Sequence, residues 1–535
     1  MTYNQSNTTK KYIWLALFIV FALFSVSTFF VPLVLGDDPA FGFNVWQSMQ
    51  SGSDFNTLLV PEAHSLSLNK PVFVSWWSPG QYLMPVFVAF VTHLSFERSS
   101  LLITILFTVL GLWGWYKIFR YQQYNDMVIA WTLFFILTSR VVTANHFLNY
   151  VGGEMLFFGG SPWFLFYFLK YKDNPVRLFL GLLPISLFCF FLKTSSSIVL
   201  LSICAVPVFE FLSLCLTEKK ITAPNRHFWV IISVCFFSFM VYYLLLNHFY
   251  LDKGTNPTSY LNPKMNLGFN LGDLFNFPIH YWTALSDILH QLHFNYAVLE
   301  SATFWPHLLI NIASILLLLY VVITAWKNAK MRTNVVFFVG FYCVYVVFLG
   351  YYFTRVAEIS FDARHFKILA FLFMPILLQT MAIHKKIFNA LILLFLITNT
   401  LYSSIIFVIK KYEIAQYPLS NHGYALKLTD QPCIDILHRI DSTANKNKLI
   451  FIDDSALAVD VVNCRKIIAA HPYEFSCKVG TSDFDGCYVS RTDTVYGFIK
   501  NTPNSKQPML AIFHNAKSQL IAKTASHSIY KIIEQ

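Results

Sequence analysis

The chain has 535 residues, of which 56% are hydrophobic and only 13% charged, with 55 phenylalanines and a net charge of +11. A soluble globule carries about twice that charged fraction, and the apolar residues here come in long blocks, so the composition indicates a polytopic helical membrane protein. The basic excess is not a nucleic-acid signature, because Lys and Arg fall between the apolar blocks rather than in a stripe with stacking aromatics.

The first apolar block, residues 12–35, carries no charge and is long enough for a helix to cross a bilayer. Asp37 and Asp38 follow it directly, and residues 41–52 have the pattern of an amphipathic helix in the membrane interface. A carboxylate held there could act as a general base beside a lipid-borne substrate. From these residues alone, a solvated helix cap with Pro39 as the breaker is the favoured interpretation.

A polar and aromatic loop over 36–78 leads to a short apolar segment, 79–95, which Pro85 interrupts. Longer apolar blocks then follow, near 99–117, 127–146, 156–169, 178–192, 197–216, 228–247, 306–325, 334–353, 366–382 and 387–409. Each is predicted to form a membrane-spanning helix.

The distribution of Lys and Arg indicates whether residues 79–95 cross the membrane. If they do not, Lys10 and Lys11 share one side with the most basic loops, which are 117–120, 170–177, 219–226, 327–332 and 385–386. A crossing would reverse every later loop and break this bias. The sequence therefore predicts about eleven spans, a cytoplasmic N-terminus and an exported C-terminal tail.

We predict two domains, a transmembrane domain over 1–411 and a small extracytoplasmic α/β domain over 412–535, called the tail domain below. The strand-like runs of the tail domain are 448–452 and 508–513, and its helix-like runs are 455–463 and 516–523. No glycine-rich phosphate loop follows either strand, so the pattern does not support a nucleotide-binding fold.

The cysteines fall into two sets. Those in the apolar blocks are expected to be small hydrophobic residues. The others all lie in the tail domain, at Cys433, Cys464, Cys477 and Cys487. An even number in one exported domain suits two disulfides, with a connectivity that the sequence leaves open.

The opening of the chain combines a span, an acidic pair, an amphipathic helix that ends in Met49-x-x-Gly52, and a Pro79-Gly80-x-Tyr82 segment before a short apolar stretch. In this it resembles the GT-C superfamily of integral-membrane glycosyltransferases, on the branch of protein mannosyltransferases and lipid A aminoarabinose transferases. The resemblance is closest over 12–100. It implies a polyprenyl-phosphate-linked sugar as donor and an acidic residue of the first outer loop as base.

Carried over by position, the resemblance makes Asp37 the general base and Asp38 the second acidic catalytic residue. It also implies substrate-binding roles for Glu154, Lys193, Arg364, His365, Lys70 and Tyr82. The Glu-Lys that often precedes the family's Pro-Pro-Leu-Tyr-Tyr segment is missing, since Trp77-Ser78 stands there instead. Lys193, Arg355 and Arg364 stand at predicted outer ends of spans, where they would either meet a lipid phosphate or extend to the headgroups.

No metal or other cofactor is required by any spacing. Hard carboxylates suit Mg²⁺ or Mn²⁺, and the candidate ligands are Asp38, His64 and Glu154. His290 and His293, in the loop over 248–305, are favoured as part of an amphipathic interface helix rather than as a metal pair.

The sequence thus predicts a glycosyltransferase at the outer face of the cytoplasmic membrane, which moves a sugar from a polyprenyl-phosphate donor to a hydroxyl of a lipid, glycan or protein. Its expected partners are that donor, the acceptor and membrane lipids, without nucleic acid. The alternatives are a transporter or flippase of lipid-linked sugars, an O-antigen-type ligase or polymerase, and a non-catalytic membrane subunit.

Overall fold

A computed structural model describes residues 7–62, 65–75, 77–218, 226–253, 274–275, 281–283, 304–354, 363–442, 448–468, 487–488, 494–501, 513–514 and 516–534. His64, Arg355, His290, His293 and Cys477 lie outside these residues, so the predictions made for them remain predictions.

The main body of the protein is a bundle of long apolar helices. In the described part of the chain, nine are uninterrupted, at Asn7–Phe30, Phe96–Tyr121, Gly153–Tyr171, Pro175–Leu192, Ser196–Glu218, Arg226–Phe249, Phe304–Lys327, Ala329–Thr354 and Lys367–Met381. Two more are interrupted: Asp126–Thr138 continues through Arg140–Val142 into the π-helical turn Thr143–Leu148, and Lys385–Phe395 continues through the turn Leu396–Leu401 into Tyr402–Ile414.

Every apolar block predicted as a span overlaps one of these helices. Among the described residues, seven helices are long and apolar enough to cross a membrane, or eight if the pair bent by 45° between Thr138 and Arg140 is one span. A multi-pass helical membrane domain is confirmed, and the total of about eleven spans stays a prediction.

The short helix Gly80–Thr92 begins and ends at the same end of the bundle. Gly80 packs against the backbone carbonyl of Phe191, where a neighbouring long helix ends. Just past the other end, the Glu97 carboxylate accepts a hydrogen bond from the Leu33 N–H at 3.2 Å. Thirteen residues form a rod of about 20 Å, which is shorter than the hydrocarbon core of a bilayer. The segment 79–95 therefore does not cross, which agrees with the distribution of basic residues.

The helix Asp37–Gln50 overlaps the segment 41–52 in which the pattern predicts an amphipathic interface helix, but most of its first half is covered by protein on all sides. Its residues 39–45 are buried. Phe43 stacks on Phe96 with ring centroids 5.2 Å apart, and it also contacts Tyr424 of the tail domain at 5.8 Å. We call this element the acidic helix. It joins a second hydrophobic core that the tail domain shares with the neighbouring loops and helix ends.

The tail domain is built on a five-stranded mixed sheet. In chain order the strands that enter it are β5 (Lys448–Ile452), β6 (Arg465–Ile468), β8 (Thr494–Lys500), β10 (Ala516–Lys523) and β11 (His527–Glu534). Their order is β10-β11-β8-β5-β6, with β5 parallel to both of its neighbours and the remaining pairs antiparallel. Helices Gln431–Asp441 and Ser455–Ala458 complete this α/β fold.

The other described strands lie outside that sheet. They are β1 (Val34–Leu35), β2 (Thr57–Glu62), β3 (Ser65–Phe73), β4 (Asn149–Tyr150), β7 (Cys487–Tyr488) and β9 (Phe513–His514), which form two-stranded pairs β1-β4, β2-β3 and β7-β9.

Two predictions for the tail domain are wrong. Residues 516–523 form the edge strand β10 rather than a helix, because pairing with β11 overrides the helix preference of Ala, Lys and Gln. Cys433 is a free thiol buried inside Gln431–Asp441, so two disulfides among the four cysteines of this domain do not form. Burial raises the pKa of the Cys433 thiol to about 12, which keeps it protonated and unreactive.

Candidate active site at one end of the helix bundle

The acidic pair is fixed in space by a parallel pairing of two very short strands. Val34 and Leu35 of β1 pair with Asn149 and Tyr150 of β4, and the Gly36 N–H donates to the Tyr150 carbonyl at 2.9 Å. This pairing places Asp37 and Asp38, the first residues of the acidic helix, beside residues 151–154, which are more than a hundred positions further along the chain.

Glu154 is the centre of a compact group of opposite charges. Its Oε1 accepts from Lys193 Nζ and lies 3.9 Å from Arg364 Nε, while its Oε2 lies 2.6 Å from Lys367 Nζ. The Lys367 ammonium also donates to the Glu154 backbone carbonyl at 2.8 Å. We call these four residues the cation cluster. It holds three positive charges against one carboxylate, and the side chain of Glu154 is only 4% exposed.

Two glycines lie where these segments approach each other. Gly152 has a positive φ of 55°, and a Cβ there would lie 2.7 Å from the Cβ of Gln81, while the Gln81 side chain donates to the Asp38 backbone carbonyl at 3.3 Å. A Cβ on Gly153 would lie 3.5 Å from the Lys193 side chain. Gly152 therefore permits a close approach that a residue with a side chain would hinder, whereas a Cβ at Gly153 would be in ordinary van der Waals contact with its neighbours.

The two aspartates have different surroundings. Asp37 is exposed, and its Oδ1 accepts a hydrogen bond of 2.9 Å from the hydroxyl of Ser455 in the tail domain. Asp38 is half-buried near the cation cluster. Its burial raises the pKa of that carboxyl, while the charges of Lys193 and Arg364 act in the opposite direction. Asp37 is therefore the more accessible carboxylate, and Asp38 is the one that faces the cations.

The remaining predicted site residues are only partly brought together. His365 follows Arg364 in the turn Ala363–Phe366 and interacts electrostatically with Glu154. Lys70 is exposed on β3, opposite Val60, and is not part of the cation cluster.

Tyr82 is buried, and its hydroxyl donates to Asn56 Oδ1 at 2.9 Å. A Cβ on Gly42 of the acidic helix would lie 2.7 Å from the Tyr82 ring. The geometry therefore gives Tyr82 a supporting place beneath the acidic helix rather than a place in the cluster.

Lys367 is the member of the cluster that sequence reasoning did not select. Its side chain is 5% exposed, and its ammonium also lies 5.1 Å from the Phe157 ring centroid. The available signal was a lysine three residues after Arg364 at the start of an otherwise apolar helix, because a buried lysine in such a place needs an anionic partner.

Among the residues that the structure describes, no three His, Cys, Asp or Glu side chains lie together as a metal site would need. Both carboxylate oxygens of Glu154 already meet lysine ammonium groups, which leaves this candidate ligand poorly suited to a cation. A metal ligated by Asp38 and His64 stays untested, because His64 is outside the described residues.

No protein-family model and no curated protein matches the sequence. Several solved structures are similar to this chain, at TM-scores below 0.5.

The similar structures include ArnT from Cupriavidus metallidurans bound to undecaprenyl phosphate, at 12% identity and a TM-score of 0.48, with 97% of this chain and 98% of that chain covered. The Archaeoglobus fulgidus oligosaccharyltransferase is similar at 12% identity and a TM-score of 0.44, over 86% of this chain and 62% of that one. The mycobacterial arabinofuranosyltransferase AftD follows at 10% identity and a TM-score of 0.44, over 99% and 42%. At these identities the likeness concerns the fold.

Proposed function

We propose that the protein is a glycosyltransferase that moves a sugar from a polyprenyl-phosphate-linked donor to an acceptor hydroxyl, with Asp37 as the general base. The observation that supports this proposal is the position of Asp38 near the cations Lys193 and Arg364 at one end of an apolar helix bundle, with the more accessible Asp37 next to it in the chain. A lipid-linked donor needs such a place, because its phosphate sits at the membrane surface while its chain stays among the helices.

In the proposed step the acceptor oxygen attacks the anomeric carbon from the face opposite the phosphate, so the anomeric configuration inverts. The new bond between carbon and acceptor oxygen forms while the bond between that carbon and the phosphate oxygen breaks. The acceptor proton passes to Asp37, and the electron pair of the broken bond leaves with polyprenyl phosphate. A sugar hydroxyl is a poor nucleophile, and a positioned base contributes about 10²- to 10⁴-fold to such a rate.

Within the cation cluster, Lys193 and Arg364 are the proposed phosphate ligands. Their side chains are 18% and 29% exposed, whereas Lys367 is 5% exposed. Lys367 is therefore assigned the structural task of holding Glu154, which in turn orients the other two cations. Charge developing on the leaving phosphate is stabilised by such pre-oriented donors.

We also propose where the protein acts. The distribution of basic residues supports a cytoplasmic N-terminus in the cytoplasmic membrane, with the acidic pair, the cation cluster and the tail domain on the outer side. The tail domain, residues 412–535, would then contribute to acceptor binding. Undecaprenyl phosphate, the ligand of the C. metallidurans ArnT structure, belongs to the class of lipid that would leave.

Reconstituted protein tests the activity with a purified polyprenyl-phosphate sugar as donor and membrane glycolipids, glycans and peptides as candidate acceptors. The proposal predicts that free polyprenyl phosphate and a new glycoside form in equal amounts, and only when an acceptor is added. Movement of intact donor across the bilayer, without release of the lipid phosphate with any acceptor, would instead identify a carrier.

A further inference from the structure

We propose that Ser455 of the tail domain is a positioning residue for Asp37, so that the tail domain completes the catalytic site. The inference rests on the proposed function. The contact that suggests it joins residues 418 positions apart, at a hydrogen bond of 2.9 Å from Ser455 Oγ to Asp37 Oδ1.

The Ser455 side chain is held in one place by its own domain. Ser455 is fully buried and begins the short helix that directly follows β5. Asp454 caps this helix by accepting from the Ala456 N–H at 2.9 Å, and the Asp453 carboxylate accepts from the Lys500 N–H of β8 at 2.8 Å. The turn 453–455 is therefore tied to two strands of the sheet, and its hydroxyl has little freedom to move.

The acidic helix is also held by the tail domain along its length. Asn44 Nδ2 donates to the Ser455 carbonyl at 3.3 Å, and one turn further on Gln47 Nε2 donates to the Val459 carbonyl at 2.7 Å. The half-buried Lys466 ammonium donates to Gln47 Oε1. These contacts are spaced along one face of the acidic helix. The tail domain therefore packs against this helix at several points rather than at a single one.

The consequence is a defined orientation of the base. With Oδ1 occupied by the Ser455 hydroxyl, Oδ2 is the carboxylate oxygen left to accept the proton of an acceptor hydroxyl. Asp37 is otherwise exposed at the first turn of its helix, where a carboxylate would sample several rotamers. A misplacement of about 1 Å can cost about 100-fold in rate, so loss of the hydroxyl should lower turnover more than it lowers donor binding.

Two variants of the same shape separate the hydroxyl from the packing. Ser455→Thr keeps the hydroxyl and Ser455→Val replaces it with a methyl group, so both add the same bulk at a buried position. We expect Ser455→Val to have a kcat about 10- to 100-fold below that of Ser455→Thr, with a donor KM within about twofold and the same melting temperature. Ser442→Ala, which removes an exposed hydroxyl of the same domain bonded to its own helix, should behave as wild type.

Equal kcat values for the Thr and Val variants would overturn the inference, and so would a difference that appears only in the donor KM. Asp37→Asn distinguishes this outcome from failure of the proposed function. If Asp37→Asn is inactive while the Thr and Val variants are equal, only the positioning role of Ser455 is lost. If Asp37→Asn turns over like wild type, the proposed base itself is wrong.

Discussion

Replacing Glu154 with Gln removes the one negative charge around which the cation cluster is assembled. The Glu154 and Lys367 side chains are 4% and 5% exposed, so water cannot take over the role of the missing partner. Removing one member of a buried ion pair typically costs about 3–5 kcal/mol, because the other charge stays buried and uncompensated. Glutamine keeps one oxygen that can accept from a lysine, so we expect a loss of about 3 kcal/mol.

A double-mutant cycle turns this expectation into a sharper test. Lys367→Met alone should cost less, since Glu154 would still contact Lys193 and Arg364. Adding Lys367→Met to Glu154→Gln removes the uncompensated cation as well, and we expect the double variant to be about 2 kcal/mol more stable than Glu154→Gln. The free energy of unfolding can be followed in mixed micelles by the helical circular-dichroism signal.

The reasoning fails if Glu154→Gln lies within about 1 kcal/mol of wild type, since a loss that small would not need a buried charge. It also fails if the two substitutions add without coupling. Either result would mean that the ion pairs around Glu154 do not hold these helix ends together.

Three further predictions concern the neighbourhood of the site and the tail domain. Lys193→Met should weaken donor binding about tenfold or more, because a hydrogen bond to a charged group contributes about 1.5–3 kcal/mol; Lys70→Met, at an exposed strand position, is the matched control in the same lipid-binding assay. Gly152→Ala should lower the melting temperature more than Gly52→Ala does. Both positions have a positive φ, but a Cβ at Gly152 meets another side chain at 2.7 Å and one at Gly52 meets nothing within 4 Å; equal melting temperatures would contradict that contact. Burial raises the pKa of Asp460 from 3.8 to about 6. Between about pH 4 and pH 6 the folded chain therefore keeps a proton on this carboxyl that the unfolded chain releases. The stability that results is fully present below about pH 4 and is lost as the pH rises through about 6. Asp460→Asn should remove this difference in thermal unfolding between pH 4 and pH 7, and an unchanged pH dependence would refute the assignment.

The sequence predicts most of the helix bundle because lipid leaves few alternatives. Long uncharged blocks must satisfy their backbone internally, so each becomes a helix. Counting these blocks along the chain also predicts that Glu154, Lys193 and Arg364 lie on the same side of the membrane. When the helices pack, residues at neighbouring helix ends on that side come into contact.

What the sequence could not predict depends on contacts between distant segments. Strands as short as Val34–Leu35 carry no pattern of their own, although their pairing places the acidic pair. Ser455 lies 418 positions from Asp37, and no local feature links the two. The strand at 516–523 was mistaken for a helix because its pairing partner, rather than its composition, determines its structure.

Asp37→Asn, assayed with purified donor lipid in parallel with Asp38→Asn, is the most direct test of the proposed base. Asparagine keeps the size and hydrogen-bonding reach of the side chain, but its amide cannot accept a proton near neutral pH. We predict that Asp37→Asn inserts and melts as wild type while its transfer rate falls by at least about 100-fold. Wild-type transfer by Asp37→Asn, together with loss of transfer in Asp38→Asn, would move the proton acceptor to the neighbouring carboxylate and contradict the role given to Asp37.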